Sequence, residues 1–513
     1  MKILLVYPEF PETYWSFSHA LSFEGKKSVF PPLGLMTISA MLPTEWERRL
    51  VDMNVNRLTA ADIEWADMVF ASAMLVQQIS LRHVVARAKA AGKTVVVGGP
   101  FVSTSSDQVP DADHLFIGEA EETFPQFLND LRMGIPQRIY ESPDKPSLAL
   151  TPLPDFNLCD LSAYSAMCIQ YSRGCPFNCE FCDIIEIYGR VPRTKSNEQM
   201  VAELDSLYGV GWRGMVFIVD DNFIGNKKNA RKLVPALSEW SETHQHPFSF
   251  LTEASVNLAD DDKLLAEMRR ANFRRIFLGI ETPVKASLIE AQKGQNTKGS
   301  LLESVRKIQG YGMEVMAGFI VGFDSDPEDI FDLQIDFIRD SAIPLAMVGL
   351  LGALPDTQLW RRLEKEDRLL NAPTGDNTDC VLTFIPKMKI ETLMEGYRKI
   401  IGSIYTPAAF YARATECLSR LSVFTPEPRR QPLRQEIASF FRLIMELGVK
   451  DAERGEFWRY VTRTLTTNRK RFAHAMTLAA MGYHLRKLTT KYLEQAAAVS
   501  EMGSVAVEAA AVS

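Results

Sequence analysis

Apolar positions in the first 140 residues come in short runs separated by stretches of helical spacing. Ile3–Tyr7, Arg49–Asp52, Met68–Ser72, Thr94–Val97 and His114–Ile117 read as strands. Between the third and fourth, Leu81–Ala91 is rich in Ala, Arg and Lys and stops at Gly92, a helix with a glycine just past its end. Strand, helix and strand at this spacing predict an α/β fold with a parallel, doubly wound, Rossmann-like sheet. Gly98-Gly99-Pro100 and Gly118-Glu119 follow strands, at the edge where such sheets bind ligands. Taken alone, these glycines read equally well as tight turns.

Residues 142–164, with Pro143, Pro146, Pro152 and Pro154, lack periodicity and read as a linker. Six further strands follow: Cys168–Ser172, Met215–Val219, Ser249–Thr252, Arg275–Gly279, Val315–Val321 and Ala346–Leu351. Helical stretches such as Glu198–Tyr208 and Glu328–Arg339 separate them. Successive βα units of this kind fit a partial (βα)6 barrel, with function at the C-terminal strand ends. Beyond Asp379 the pattern turns helical, with amphipathic stretches Leu433–Leu447 and Glu456–Glu494, and from Ala496 a frayed tail is expected. The chain therefore divides into 1–141, the linker 142–164, a barrel 165–380, a helical region 381–495 and a tail 496–513.

Composition narrows the function. Of 513 residues, 46% are hydrophobic and 24% charged, which is ordinary for a globular protein with a large core. A net charge of −7 argues against a surface built for nucleic acid. The N-terminal apolar run reaches Pro8 and Glu9 too soon for a signal peptide, so a cytoplasmic protein is expected. Seven cysteines are too few for a disulfide scaffold, and three lie together, the usage of a reducing compartment with a metal site.

Those three form Cys175-Pro-Phe-Asn-Cys179-Glu-Phe-Cys182. Such spacing should arise by chance roughly once in a thousand chains of this composition. Thiolates are soft ligands suited to zinc or iron–sulfur clusters. Structural zinc takes four ligands, and no fourth Cys or His lies nearby in sequence, although a distant residue could complete a zinc knuckle. On a four-iron cluster, three cysteines leave one iron open to a ligand.

The motif resembles that of the radical S-adenosylmethionine (SAM) superfamily, down to the aromatic Phe181 before the third cysteine. The resemblance implies a 4Fe–4S cluster on Cys175, Cys179 and Cys182. Its open iron chelates SAM, and one-electron cleavage releases a 5′-deoxyadenosyl radical. It further implies SAM contacts from Asp221 and Asn222 in Asp220-Asp221-Asn222-Phe223, from Glu253, and from Glu281 in Gly279-Ile280-Glu281. Gly318 and Gly322 resemble the glycine-containing fifth strand beside adenine. Pro355, in Leu354-Pro355-Asp356-Thr357, belongs to a motif resembling one of cobalamin-linked members.

A doubly wound domain before such a barrel resembles the cobalamin-binding class, whose motifs Pro31-Pro32-Leu33-Gly34-Leu35 and Gly98-Gly99-Pro100 match. The resemblance places Ser72 and Met74 near the corrinoid's lower face and Gly118 and Glu119 beside its tail. The cobalt-ligating D-x-H-x-x-G motif is absent, Asp113-His114 matching it only superficially, so a cobalt without a histidine lower ligand is expected. Residues 1–158 contain no cysteine, which excludes the tRNA methylthiotransferases with their second cluster.

Phrases such as Cys179-Glu-Phe-Cys-Asp-Ile184, Tyr188-Gly-Arg190 and Val219-Asp-Asp-Asn-Phe-Ile-Gly-Asn226 are similar to those of proteins related to the hopanoid C-2 methylases. That kinship implies a methyltransferase in which one SAM methylates cobalamin and another generates the radical. The radical takes hydrogen from an unactivated carbon of a small-molecule or lipid-like substrate, which then receives the methyl group. A low-potential donor such as flavodoxin or ferredoxin would supply electrons. Two other readings are a non-methylating cyclase or rearrangement enzyme and a corrinoid-binding protein without turnover.

From Phe457 to Leu493 there is no acidic residue but eight basic ones: Arg459, Arg463, Arg469, Lys470, Arg471, Arg486, Lys487 and Lys491. Interleaved with Trp458, Tyr460, Leu465, Phe472, Met476, Tyr483 and Leu485, they suggest peripheral contact with the membrane's inner face. A helix packed on the barrel fits the same pattern; nucleic acid does not, for want of a recognition fold. Cys159, Cys168, Cys380 and Cys417 read as buried thiols.

Overall fold

A computed structural model describes residues 1–376, 378, 381–421 and 433–511, with side chains described as far as Glu494. Cys380 lies outside the described residues. The first sheet contains β1 (Lys2–Tyr7), β2 (Glu47–Asp52), β3 (Met68–Ser72), β4 (Thr94–Gly98), β5 (His114–Ile117) and β6 (Ile139–Glu141). All pairs are parallel, in the order β2-β1-β3-β4-β5-β6. β1 and β4 are nearly continuous apolar runs because helices cover both faces, as parallel sheets require. β6 escaped the sequence reading, being three residues long with only Tyr140 buried.

The strand order reverses between β1 and β3. The crevice beyond Tyr7 and Ser72 is therefore the topological switch point, where such sheets bind ligands. His114 starts β5 at the opposite edge, its Nδ1 2.5 Å from Gln137 O and its ring against Phe127. It has no access to that crevice.

Residues 142–164 are packed. Phe156 is buried, Tyr164 donates to Asp52 Oδ2 at 2.8 Å, and Ser39 Oγ donates to Asp155 Oδ2 at 3.0 Å. After β7 (Ala166–Ile169), β8 (Ser172–Arg173) and β9 (Arg193–Thr194) form a small antiparallel hairpin. β10 (Gly214–Ile218), β11 (Phe248–Ala254), β12 (Phe273–Glu281), β13 (Glu314–Val321) and β14 (Ala346–Leu350) then join β7 in a second six-stranded parallel sheet. Its order follows the chain, which is the partial barrel expected. The sequence reading ran Cys168–Ser172 together as one strand; the chain leaves the sheet after Ile169 to begin the hairpin.

The helical region includes Ile390–Ile404, Pro407–Arg420, Leu433–Leu443, a π-helical turn Ile444–Lys450, Arg454–Thr467 and Phe472–Ala511. The long amphipathic stretch is broken at Asn468. The last helix continues to Ala511 through the segment expected to fray, in keeping with the helix propensity of its alanines. Met476, Leu478, Ala479, Leu485 and Leu488 are buried, packed against helices Ser18–Glu24, Ile390–Ile404 and Pro407–Arg420. Arg471 donates to Leu421 O, Arg486 pairs with Asp451, and His474 reaches the buried Glu314 at the start of β13. The apolar face expected to suit a membrane is thus mainly internal, while Arg459, Arg463, Arg469, Lys470 and Lys487 remain exposed. Among the described residues, no helix is long and apolar enough to cross a membrane.

Candidate active site between the two sheets

The C-terminal edges of both sheets open onto one continuous cavity of about 1870 Å³. Cys175, Cys179 and Cys182 line it, on the loop that leaves β8. Gly174 makes that loop possible: its φ is 91°, and a Cβ there would lie 2.8 Å from Gly189 O. Asn222 Nδ2 is 3.8 Å from Cys175 Sγ and Gln295 Nε2 is 3.7 Å from Cys179 Sγ. Among the described residues no three Cys, His, Asp or Glu side chains gather closely enough for a single ion. Three soft thiolates facing one cavity are a donor set that fits a four-iron cluster.

Carboxyls crowd the neighbouring strand ends. Burial raises Asp221 to about 7, with Asp220 adding to the effect, and raises Asp220 to about 6. Burial raises Glu253 to about 8, assisted by Asp221, Asp220 and Glu281. Asp220 is held by Tyr171 N at 2.7 Å and Ser172 Oγ at 2.6 Å, so it shapes the β8 loop. Glu281 sits at φ 62°, an uncommon conformation for glutamate, and pairs with the buried Lys293. Burial alone would lower Lys293; Glu281, Cys179 and Cys182 more than reverse this and raise it. The site thus offers buried carboxyls short of counter-charge beside one ammonium, which suits a ligand with a cationic sulfonium and amine and one carboxylate.

Ser72, Met74, Gly98, Gly99, Pro100, Gly118 and Glu119 line the cavity from the first sheet. Gly99 has φ 95°, and a Cβ there would meet Ser72 Oγ at 2.5 Å. The edge is therefore a shallow backbone cradle, a surface that a broad, flat cofactor can approach. Glu119 is also tied to the barrel half of the molecule. Its carboxylate accepts from Arg173 Nη1 at 2.6 Å and Arg193 Nη2 at 2.6 Å, both from the β8–β9 hairpin, while Glu121 pairs with Arg173 at 2.8 Å. This network clamps the first sheet to the cysteine loop.

Asp221, Asn222, Glu253, Glu281 and Gly318 also face the cavity. Gly322 and Pro355 do not. A Cβ on Gly322 would lie 3.4 Å from Leu393, and in the loop of Pro355 it is Leu354 that reaches the cavity. Lys293, Gln295, Arg173 and Arg193 were missed from sequence. Only Arg173 carried a signal, as a basic residue two before the first cysteine.

Three stretches match known families: a B12 binding domain at 26–128, the radical SAM superfamily at 169–337, and a domain of unknown function (DUF4070) at 357–498. An uncharacterized methyltransferase of Synechocystis is 43% identical, covering 94% of this chain and 91% of that protein. The hopanoid C-2 methylase of Rhodopseudomonas palustris is 36% identical, over 90% of this chain and 89% of its own. The fold is similar to that of the cobalamin-dependent SAM radical enzyme OxsB, solved with aqua-cobalamin and SAM bound. The TM-score is 0.61 at 17% identity, covering 98% of this chain and 81% of OxsB.

Proposed function

Because this chain belongs to the cobalamin-binding radical SAM enzymes, in the group that includes the hopanoid C-2 methylase, we propose that it methylates an unactivated carbon of a lipid-like substrate, with hopanoids the first class to test. The family's cofactors are a 4Fe–4S cluster, SAM and cobalamin. When bound, they supply a carbon radical and a transferable methyl group, and the protein orients them and excludes water. The observation that carries this reading is the single cavity shared by the cysteine loop, the acidic strand ends and the glycine cradle.

In this arrangement Cys175, Cys179 and Cys182 hold the cluster. Asp221, Asn222, Glu253, Glu281 and Lys293 would receive SAM, the carboxyls suiting its cationic groups and Lys293 its carboxylate. Ser72, Met74, Gly98, Gly99, Pro100 and Gly118 receive the corrinoid. Arg173, Arg193 and Glu119 fix the distance between the two halves. Methyl transfer is favoured over cyclisation because both relatives that span about nine-tenths of the chain are named for methylation. Electrons would come from flavodoxin or ferredoxin. Any membrane contact would run through the exposed Trp458, Leu465, Arg459, Arg463, Arg469 and Lys470, and charge reversal at Arg469 and Lys470 should then weaken liposome flotation.

The test is anaerobic reconstitution with iron, sulfide and cobalamin, then methyl-labelled SAM, reductant and a lipid extract. Label in a lipid together with 5′-deoxyadenosine is expected. 5′-Deoxyadenosine without labelled lipid would refute the lipid substrate and leave the radical chemistry standing.

A further inference from the structure

The loop leaving β1 crosses to the other sheet instead of folding back over its own. Tyr14 OH donates to Val348 O of β14 at 3.0 Å. Trp15 stacks on Phe217 of β10 with centroids 6.3 Å apart and planes 7° apart, and leans on Phe277 of β12 at 5.1 Å. Phe30 packs on Phe217 at 5.1 Å. Trp15, Phe30 and Phe277 are only partly buried, and all four rings line the cavity.

Strand register aligns Gly279, Gly318 and Met347 across β12, β13 and β14. Glu281 and Lys293 fill the room over Gly279, whereas the bare backbone at Gly318 lies beside the Phe277 ring. A Cβ on Gly318 would lie 3.3 Å from Phe277 Cζ. The carboxyls and Lys293 stand at the strand ends, whereas the wall presents aromatic carbon. Exposed ring faces in an enclosed cavity gain most by covering hydrocarbon.

We propose that Trp15, Phe30, Phe217 and Phe277 form a substrate site that takes the alicyclic or branched hydrocarbon part of the methyl acceptor. This rests on the reading of the protein as a methyltransferase with an apolar substrate, and adds which residues select it. Trp15 comes from the first module, so the residue that grips the substrate in the barrel is supplied by the cobalamin-binding half. Its loop is fixed from a third direction: His484 Nε2 lies 3.0 Å from Thr13 O and Lys491 pairs with Glu12 at 3.0 Å, both from the last helix.

Equilibrium dialysis of adamantan-1-ol, a compact alicyclic probe, against the reconstituted holoenzyme tests the site. The wild type should bind it. Trp15→Ala and Phe277→Leu should each weaken binding about tenfold, or about 1.4 kcal/mol, and Trp15→Phe should recover most of the loss. Failure of the wild type to take up the probe, or equal uptake by both weakening variants, would overturn the wall. If lipid is methylated but no probe is bound, the wall falls and the function stands. If the probe binds in a Trp15-dependent way but no lipid is labelled, the wall stands and the lipid reading falls.

Discussion

Replacing Glu119 by glutamine tests whether the two halves are locked together electrostatically. The Glu119 side chain is 1% exposed and those of Arg173 and Arg193 are 12% and 17% exposed, so water screens them little. Glutamine keeps one acceptor and puts a donor where the second oxygen faced a guanidinium. Breaking a buried ion pair from one side costs about 3–5 kcal/mol, because the remaining charge is left uncompensated. Here Glu121 still neutralises Arg173, and Arg193 still donates to Pro146 O at 2.6 Å and Tyr188 O at 3.0 Å. The expected cost is therefore nearer about 2–3 kcal/mol. At about 2.1 cal/mol/K of unfolding entropy per residue over 513 residues, each kcal/mol moves Tm by about 1 °C, so the calorimetric Tm of the cofactor-free protein should fall by about 2–3 °C. Because the pair is buried, the shift should survive 0.5 M salt. Glu122→Gln, at an exposed neighbouring position, is the control and should stay within about 0.5 kcal/mol. A Glu119→Gln protein melting within a degree of wild type would show that the clamp contributes nothing.

Three further outcomes are expected. Serine at Cys175, Cys179 or Cys182 should abolish the iron–sulfur absorption band after reconstitution and all SAM cleavage, with far-UV circular dichroism unchanged; alanine at the buried Cys417 should leave both intact. Gly279→Ala would push a methyl within 2.5 Å of Glu281 Oε1 and Lys293 Nζ, and should weaken SAM binding at least about tenfold by equilibrium dialysis. Gly209→Ala, with nothing within 4 Å, should not. Burial depresses His484 to about 4, with His19 adding to this against the pull of Thr13 O and Glu12. Because that value lies below the unfolded histidine's, its contribution of up to about 3 kcal/mol is complete above about pH 6.5 and is lost as the pH falls towards 4. Proteolysis of the loop carrying Trp15 should rise over that window, and His484→Gln should remove the dependence.

The two sheets were legible because parallel strands leave dense apolar runs at regular spacing. The cluster motif was legible because its three ligands are local. Roles that depend on distant partners were not. The pairing of Glu119 was hidden because nothing in Gly118-Glu119 shows that two arginines more than fifty residues away converge on it. Lys293 lay in a loop with no pattern, and only the fold brings it to Glu281. The basic stretch at the C-terminus read both as a membrane face and as a packed helix, because amphipathicity reveals that one side is apolar without revealing what covers it. Gly322 matched a motif by position, but its left-handed turn faces Leu393 and not the cavity.

The hydrogen bond between Thr13 and His484 joins residues 471 positions apart. A ribosome adding about 5–20 residues per second needs roughly half a minute to a minute and a half to span that interval. For the first 334 residues of that interval the loop bearing Trp15 has no β14 to rest on, and for all of it no last helix. The nascent first module can fold its sheet and present its cofactor edge, but the reaction chamber closes only after the final helix has emerged. Chains cut before the last helix should therefore keep both sheets while leaving the loop of Trp15 unanchored on that side.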